Sequence, residues 1–339
     1  MTAQPELPSL PGPSIAVLGA TGAVGARVAA ILAAMGRDVI AVSRHPGRLT
    51  ATLPTRATST RGEFTDPASI GDVPPGIAVN CTGIEDVVAV QKWRDAGWAM
   101  VDITASSRYA LQLANATRIG PPLIVGVGLT PGLTSVLARH LVARDPGTNA
   151  VEISCLVGLG EDYGEASRDW TYHQLGQDID DPTGAFRNFS DPRTIDFPGG
   201  FGRRRAWRID FADRALLAQE LNVAVITRYC FDSRLAGRAL ATASAVPKLP
   251  GMLRRITQQS RQAVGDTAWW AGVVETDGGR RAVAIGNGQS QGTAAVAAIA
   301  ADHLIRSENT DARYLWDLID AKELVANLGP LGVLVTIEQ

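Results

Sequence analysis

Three glycines, Gly19, Gly22 and Gly25, recur at every third position in Gly19-Ala-Thr-Gly-Ala-Val-Gly25, directly after the apolar run Ile15-Ala-Val-Leu18 and before a stretch of helix formers at 26–35. The chemistry this spacing serves is anion binding. Glycine lets the backbone approach a pyrophosphate closely, and the N–H groups at a helix start, here near Ala23 and Val24 with Thr21 in the same turn, point at the charge. A glycine triplet by itself fits tight strand-to-helix packing equally well. Its position between a buried strand and a helix favours a dinucleotide turn.

Which nicotinamide nucleotide such a turn would hold is decided about 20 residues on, where an NAD site sets Asp or Glu against the ribose hydroxyls. Residues 39–42 form the next apolar run, and the chain continues Ser43-Arg44-His45 with Arg48 close behind and no acid. A guanidinium fork beside a hydroxyl suits a 2′-phosphate, so the expected cofactor is NADP(H).

Later strand ends supply further candidates. Asn80-Cys-Thr-Gly83 closes the fourth strand, and Cys81, Thr82 and Gly83 are expected to meet the cofactor through their main chain. Cys81 reads as a buried, inert thiol, because a nucleophile needs a lowered pKa and a nearby base. Asp102 and Thr104 close the fifth strand as nicotinamide or substrate contacts, with a capping role equally open for Asp102. Thr130-Pro131-Gly132 begins a helix whose amides could hold a substrate carboxylate. On the opposite wall, 163–173 mixes phenols, carboxylates and an imidazole: Tyr163 is a candidate substrate contact, and Tyr172 or His173 a candidate proton donor. Arg228, isolated in an apolar run, is a candidate partner for a substrate carboxylate. His45 belongs to the cofactor loop, whereas His140 and His303 read as packing residues of amphipathic helices. Arg203-Arg204-Arg205 with Arg208 reads as a solvated surface, or as an anion site.

The elements that must position these groups alternate. Apolar runs at 15–18, 39–42, 77–80, 98–103 and 123–127 are interleaved with helical stretches such as 86–96 and 106–117, which argues an α/β doubly wound parallel sheet. After about residue 145 the strands lengthen, at 150–157, 206–211, 223–231, 268–275 and 281–285, with Thr276-Asp-Gly-Gly279 as a hairpin turn. That rhythm reads as an α+β domain with a mostly antiparallel sheet. A helical stretch at 233–264 is interrupted near Pro247 and Pro250, and an alanine-rich helix at 291–305 is expected to return to the first domain. The expected organisation is a flexible tail (1–13), an NADP-binding Rossmann domain (14–145), a substrate domain (146–288) and a C-terminal return (289–339). Trp269 and Trp270 should fall on opposite faces of their strand.

Composition narrows the classes. The 339 residues suffice for about two domains. Lys+Arg 32 against Asp+Glu 34 leaves no polybasic field, so neither nucleic acid nor a membrane surface is an expected partner. The 45% hydrophobic and 19% charged content excludes wholesale disorder. Three cysteines without CxxC spacing give no metal site, and with no apolar leader or long apolar run they suggest a cytoplasmic protein.

The chain resembles the saccharopine dehydrogenase-like family, which includes saccharopine reductases and carboxynorspermidine dehydrogenases. The resemblance rests on the Gly19 to Gly25 turn, Val42-Ser-Arg-His-Pro-Gly-Arg-Leu49, Val101-Asp-Ile-Thr104 and Gly126-Val-Gly-Leu-Thr-Pro-Gly-Leu133, and extends by pattern to Gly158-Leu-Gly-Glu161, Asp169-Trp-Thr171 and the helix from Gln291. It implies an NADP-binding Rossmann domain joined to an α+β domain, hydride transfer at a C–N or C=N carbon, and a homodimer through the second domain. The lysine-forming members use a Lys and His pair, and Lys92, Lys248 and Lys322 do not stand at strand ends here. The reductive branch therefore fits better: an imine or keto group of a small amino-acid-derived substrate. The alternatives are an enoyl reductase of a carrier-bound acyl or polyketide chain, and a non-catalytic NADP-binding regulator or scaffold.

Overall fold

A strand covered on both faces must be apolar throughout, and β1 (Ile15–Leu18) is buried at every residue. In the computed structural model, which describes residues 14–49, 54–116, 119–161, 165–181, 184–245, 267–307, 309 and 311–338, it lies inside a six-stranded sheet. The expected tail, Tyr163, and the helical stretch beyond 245 with Pro247 and Pro250 lie outside the described residues. The sheet order is β3-β2-β1-β4-β5-β6, built from β2 (Val39–Ser43), β3 (Ala57–Arg61), β4 (Ile77–Asn80), β5 (Ala99–Asp102) and β6 (Leu123–Ile124). All neighbours pair in parallel. The order reverses between β1 and β4, and a doubly wound sheet opens a crevice at the carboxyl ends beside that switch. β3 was not among the expected strands. It reads Ala-Thr-Ser-Thr-Arg, half exposed at the sheet edge, and so carries no apolar run.

The helices of this layer are α1 (Ala23–Ala34), α2 (Val87–Asp95) and α3 (Ser107–Ala114), whereas α4 (Leu133–Val142) packs on the second sheet. Asp86 caps α2 by accepting from Val88 and Ala89 N–H, as Asp66 does for the short turn at 67–70.

The second sheet has the order β10-β11-β12-β7-β13-β14-β15. β7 (Ala150–Val157) pairs in parallel with β12 (Ala224–Phe231), and its other neighbour, β13 (Trp269–Thr276), is antiparallel. β10 (Ser190–Phe197), β11 (Gly202–Arg208) and β14 (Arg281–Asn287) complete the antiparallel run, while β8 (Asp178–Ile179) and β9 (Phe186–Arg187) form a separate small ribbon. The turn at 276–279 closes β13 onto β14 with Gly279 at φ 87, a left-handed conformation glycine adopts at no steric cost. Trp270 is 2% exposed and Trp269 43%, as opposite faces require. α5 (Glu165–Gln174), α6 (Ala212–Glu220) and α7 (Arg234–Ala245) flank this sheet.

α8 (Gln289–Arg306) buries an unbroken run from Ala294 to Ala301 and packs against α1, β4 and β5. Small alanine side chains allow that close helix-to-sheet approach. The chain then passes through α9 (Leu315–Leu318) and α10 (Ala321–Leu328) to β15 (Val333–Ile337), which pairs with β14. The C-terminal residues thus divide: the helix returns to the first layer, and the last strand completes the second sheet. One apolar core runs beneath both, joining Val17 and Val79 to Val151, Ile153 and Trp270. Among the described residues no helix is long and apolar enough to cross a membrane, and no three His, Cys, Asp or Glu are grouped to hold a metal.

Candidate functional site

A cleft of about 730 Å³ runs from the Gly19 turn along the carboxyl ends of the parallel strands to the second sheet. The three glycines that open it serve three different needs. Gly19 sits at φ +79, and a Cβ there would stand 3.0 Å from the Cys81 carbonyl oxygen. A Cβ on Gly25 would lie 2.4 Å from the Gly19 carbonyl oxygen, so this buried residue sets how tightly α1 meets the turn. Gly22 is different: it is exposed, and its Cβ would meet just the Gly19 oxygen at 3.2 Å. It caps α1 with no side-chain hydrogen bond and no acid in the first turn. Ala23 and Val24, whose N–H groups precede the first intrahelical bond, line the cleft.

At the end of β2, Ser43 is buried, its hydroxyl 3.3 Å from that of Thr21 and accepting the His45 N–H at 3.1 Å. Arg44, His45 and Arg48 are exposed and line the cleft. Glu63 borders the same end, and among the described residues no ion pair joins it to either arginine.

The loop after β4 is held from inside the sheet. Asp102 is 1% exposed, accepts from the Asn80 amide at 2.7 Å and the Thr104 N–H at 2.9 Å, and lies 3.4 Å from the Tyr109 hydroxyl. Asn80 in turn accepts from the Thr82 hydroxyl at 2.7 Å and the Thr82 N–H at 3.2 Å. Thr82, Gly83 and Thr104 face the cleft, but Asp102 does not. Of the two expectations for Asp102, a contact to nicotinamide or substrate, which would make it catalytic, is therefore corrected, and the structural role is what it plays: it fixes the loop carrying Thr82. Burial raises its pKa, against the hydrogen bonds from Asn80, Thr104 and Tyr109. Burial, with Asp102 nearby, also pushes the cleft-lining Cys81 thiol far up, so it is no nucleophile.

The far end departs most from the sequence reading. Gly132, at φ +126, presses on the backbone of Gly128, and the first amides of α4 are already taken: Leu133 N–H donates to Gly128 and Thr134 N–H to Leu129. The Thr134 hydroxyl donates to Asp213 at 2.8 Å, and the Ser135 hydroxyl donates to the same oxygen. A carboxylate does occupy this helix start, and it is the chain's own. Thr130 lines the cleft while Pro131 and Gly132 do not. Burial pushes Asp213 up to about 6, and among the described residues its second oxygen has no hydrogen-bond partner. Arg228 is likewise spoken for. It is 5% exposed, donates to Glu152 at 2.9 Å and to Asp191 at 3.1 Å, and stands off the cleft.

α5 does form the opposite wall, but through another face. Ser167, Trp170 and Thr171 line the cleft at helical spacing, whereas Tyr172 packs toward the second sheet's core and the exposed His173 holds the Asp169 carbonyl at 2.7 Å. The expected proton donors Tyr172 and His173 thus do not reach the site. Trp170 stacks on Phe211 at 4.9 Å and 14°, and Tyr229 meets Phe211 edge-on at 5.7 Å. All three line the cleft. Glu85, after β4, lines it too, and burial raises its carboxyl, opposed by a Ser106 hydrogen bond and assisted by Asp102. At the start of α8, Gln289 and Ser290 line the cleft, and their amides donate to Glu161. The sequence reading passed over Glu85, Trp170, Phe211 and Tyr229 as site residues, and over the buried Asp213 behind them. Only the i, i+3, i+4 spacing of 167, 170 and 171 was there to be found.

No family model and no curated protein sequence matches the chain. Among solved structures, an oxidoreductase from Thermotoga maritima is 9% identical over 94% of both chains, with a TM-score of 0.42. The YhhX protein, described as a "probable oxidoreductase", is 15% identical over 96% of this chain and 99% of its own, with a TM-score of 0.34. A protein from Burkholderia pseudomallei described as exported is 27% identical over 28% of this chain, with a TM-score of 0.20; the match spans 48% of that protein's length.

Proposed function

We propose that the chain is an NADP(H)-dependent oxidoreductase of the saccharopine dehydrogenase-like kind, reducing an imine or keto group and working as a homodimer through its second sheet. The observation that carries this reading is a contrast among three helix starts at or beside the cleft. Asp213 and loop carbonyls fill that of α4, and Glu161 fills that of α8. At α1 neither a side-chain cap nor a first-turn acid is present, and Gly22 leaves the space in front of the amides open. An unfilled helix start on a cleft is a site for phosphate. The residues fit the whole nucleotide: Ala23 and Val24 amides for the pyrophosphate, Ser43, Arg44 and Arg48 for a 2′-phosphate, and the Thr82-Gly83 loop for the path toward the far end.

Bound NADPH would supply the hydride. The protein's part is to hold and enclose. Asp102 and Asn80 fix the loop, and the wall of Trp170, Phe211 and Tyr229 keeps water from the reacting end. Neither Lys92 nor Lys322 lines the cleft, which supports a reaction without a Lys and His pair.

Gly22→Val tests this. The backbone there is extended, at φ −80 and ψ 166, and the position is exposed, so the variant should fold, with the poorer cap and the 3.2 Å approach to the Gly19 oxygen costing about 1 kcal/mol. Its NADPH affinity should fall by at least about tenfold. A folded variant that still binds NADPH as wild type does would contradict the assignment of the turn.

A further inference from the structure

We propose that the far end of the cleft selects a flat organic cation, an iminium bearing no carboxylate, held between the Trp170, Phe211 and Tyr229 wall and the Glu85 carboxylate. The inference rests on the reductase reading above and names its substrate class.

Charge sets it apart from an amino-acid-like substrate. Among the described residues, the arginines lining the cleft are Arg44 and Arg48, both just after the end of β2. Among the described residues, three groups near the far end that could hold a carboxylate are already used inside the chain: Arg228 by Glu152 and Asp191, the α4 start by Asp213, and the α8 start by Glu161. A substrate carboxylate would approach Glu85, and among the described residues no lysine or arginine lines that end. A cation meets the opposite situation. Glu85 lines the cleft, and the positive groups that act on it, His173 and Arg108, do not. Its carboxyl is held up by burial and by Asp102, so it gains from a positive partner. The stacked Trp170 and Phe211 with the perpendicular Tyr229 offer aromatic surface, which attracts a desolvated cation as well as a flat ring.

The chemistry agrees with the placement. When an iminium carbon accepts a hydride from NADPH, the C=N π pair returns to the nitrogen, giving a neutral amine and NADP⁺ with no proton taken from a side chain. That removes the need for the donor which Tyr172 and His173 do not provide.

The test uses the full chain and three probes of one shape: N-methyl-dihydroisoquinolinium, which is a permanent iminium; a carboxylated dihydroisoquinoline; and the neutral ketone tetralone. Binding is read by quenching of tryptophan fluorescence with NADP⁺ present and absent, and turnover by NADPH oxidation. The iminium should bind at least about tenfold more tightly than the carboxylated probe and be reduced. Glu85→Gln should weaken the iminium by about tenfold without changing tetralone or NADPH binding, and Trp170→Ala should weaken both ring probes. Tighter binding of the carboxylated imine or the ketone, or an iminium affinity unmoved by Glu85→Gln, would overturn the proposal while leaving NADPH binding intact. Failure of the reductase reading looks different: no NADPH binding, whatever the probes do.

Discussion

Arg44, on the cleft at the end of β2, and Asp213, buried against the start of α4, each carry a measurable consequence. Arg44 is exposed at the end of β2, beside the buried Ser43 hydroxyl. Arg44→Ala should cost NADPH at least about tenfold in affinity, about 1.4 kcal/mol, and leave NADH unchanged, as read by calorimetry. Equal losses for both nucleotides would mean that Arg44 reads no phosphate. Asp213 is raised from an ordinary 3.8 to about 6 by burial. A carboxyl raised in the folded state keeps a proton that the unfolded chain has already released, so stability declines as pH rises from about 4 to 6 and stays lower above that. At about 1.4 kcal/mol per unit, the effect reaches up to about 3 kcal/mol. Asp213→Asn has no such titration. In urea unfolding, the difference between variant and wild type should shift in the variant's favour by that amount between pH 4 and 7, and a flat difference would contradict it. Neither the burial of Asp213 nor the pairing of Arg228 was legible in the sequence, because Thr134, Ser135, Glu152 and Asp191 reach them from distant segments.

Elements were more legible than side-chain directions. Where one pattern decides, as in the apolar β1 or the helix expected over 86–96, sequence and structure coincide. β3 escaped because an edge strand needs no apolar run, and α5 misled because a helix carries adjacent residues to different faces, so that 170 and 171 face the cleft while 172 and 173 do not. The α1 element makes its own prediction. Replacing a helical glycine by alanine ordinarily adds about 1 kcal/mol. At Gly25 the added Cβ would stand 2.4 Å from the backbone oxygen of Gly19, where no flexible side chain can yield. Gly25→Ala should therefore lose about 1–3 kcal/mol in thermal or urea unfolding. A variant as stable as wild type would show that the turn can open without cost.

At the scale of the molecule, function depends on two sheets sharing one core. The parallel sheet supplies the end proposed for the nucleotide, the second sheet supplies Tyr229 and, with its flanking helices, Trp170 and Phe211, and α8 ties the layers by packing on α1. The alternation of strands and helices made this two-part plan legible. The chemistry of the far wall was not, since it arises where α5, the start of α6 and β12 converge. The central claim is that the cleft is built for NADP(H), and its most direct test is a calorimetric titration of the full chain with NADPH and, separately, with NADH. NADPH should bind with at least about tenfold higher affinity than NADH. Tighter binding of NADH, or no heat with either nucleotide, would contradict it.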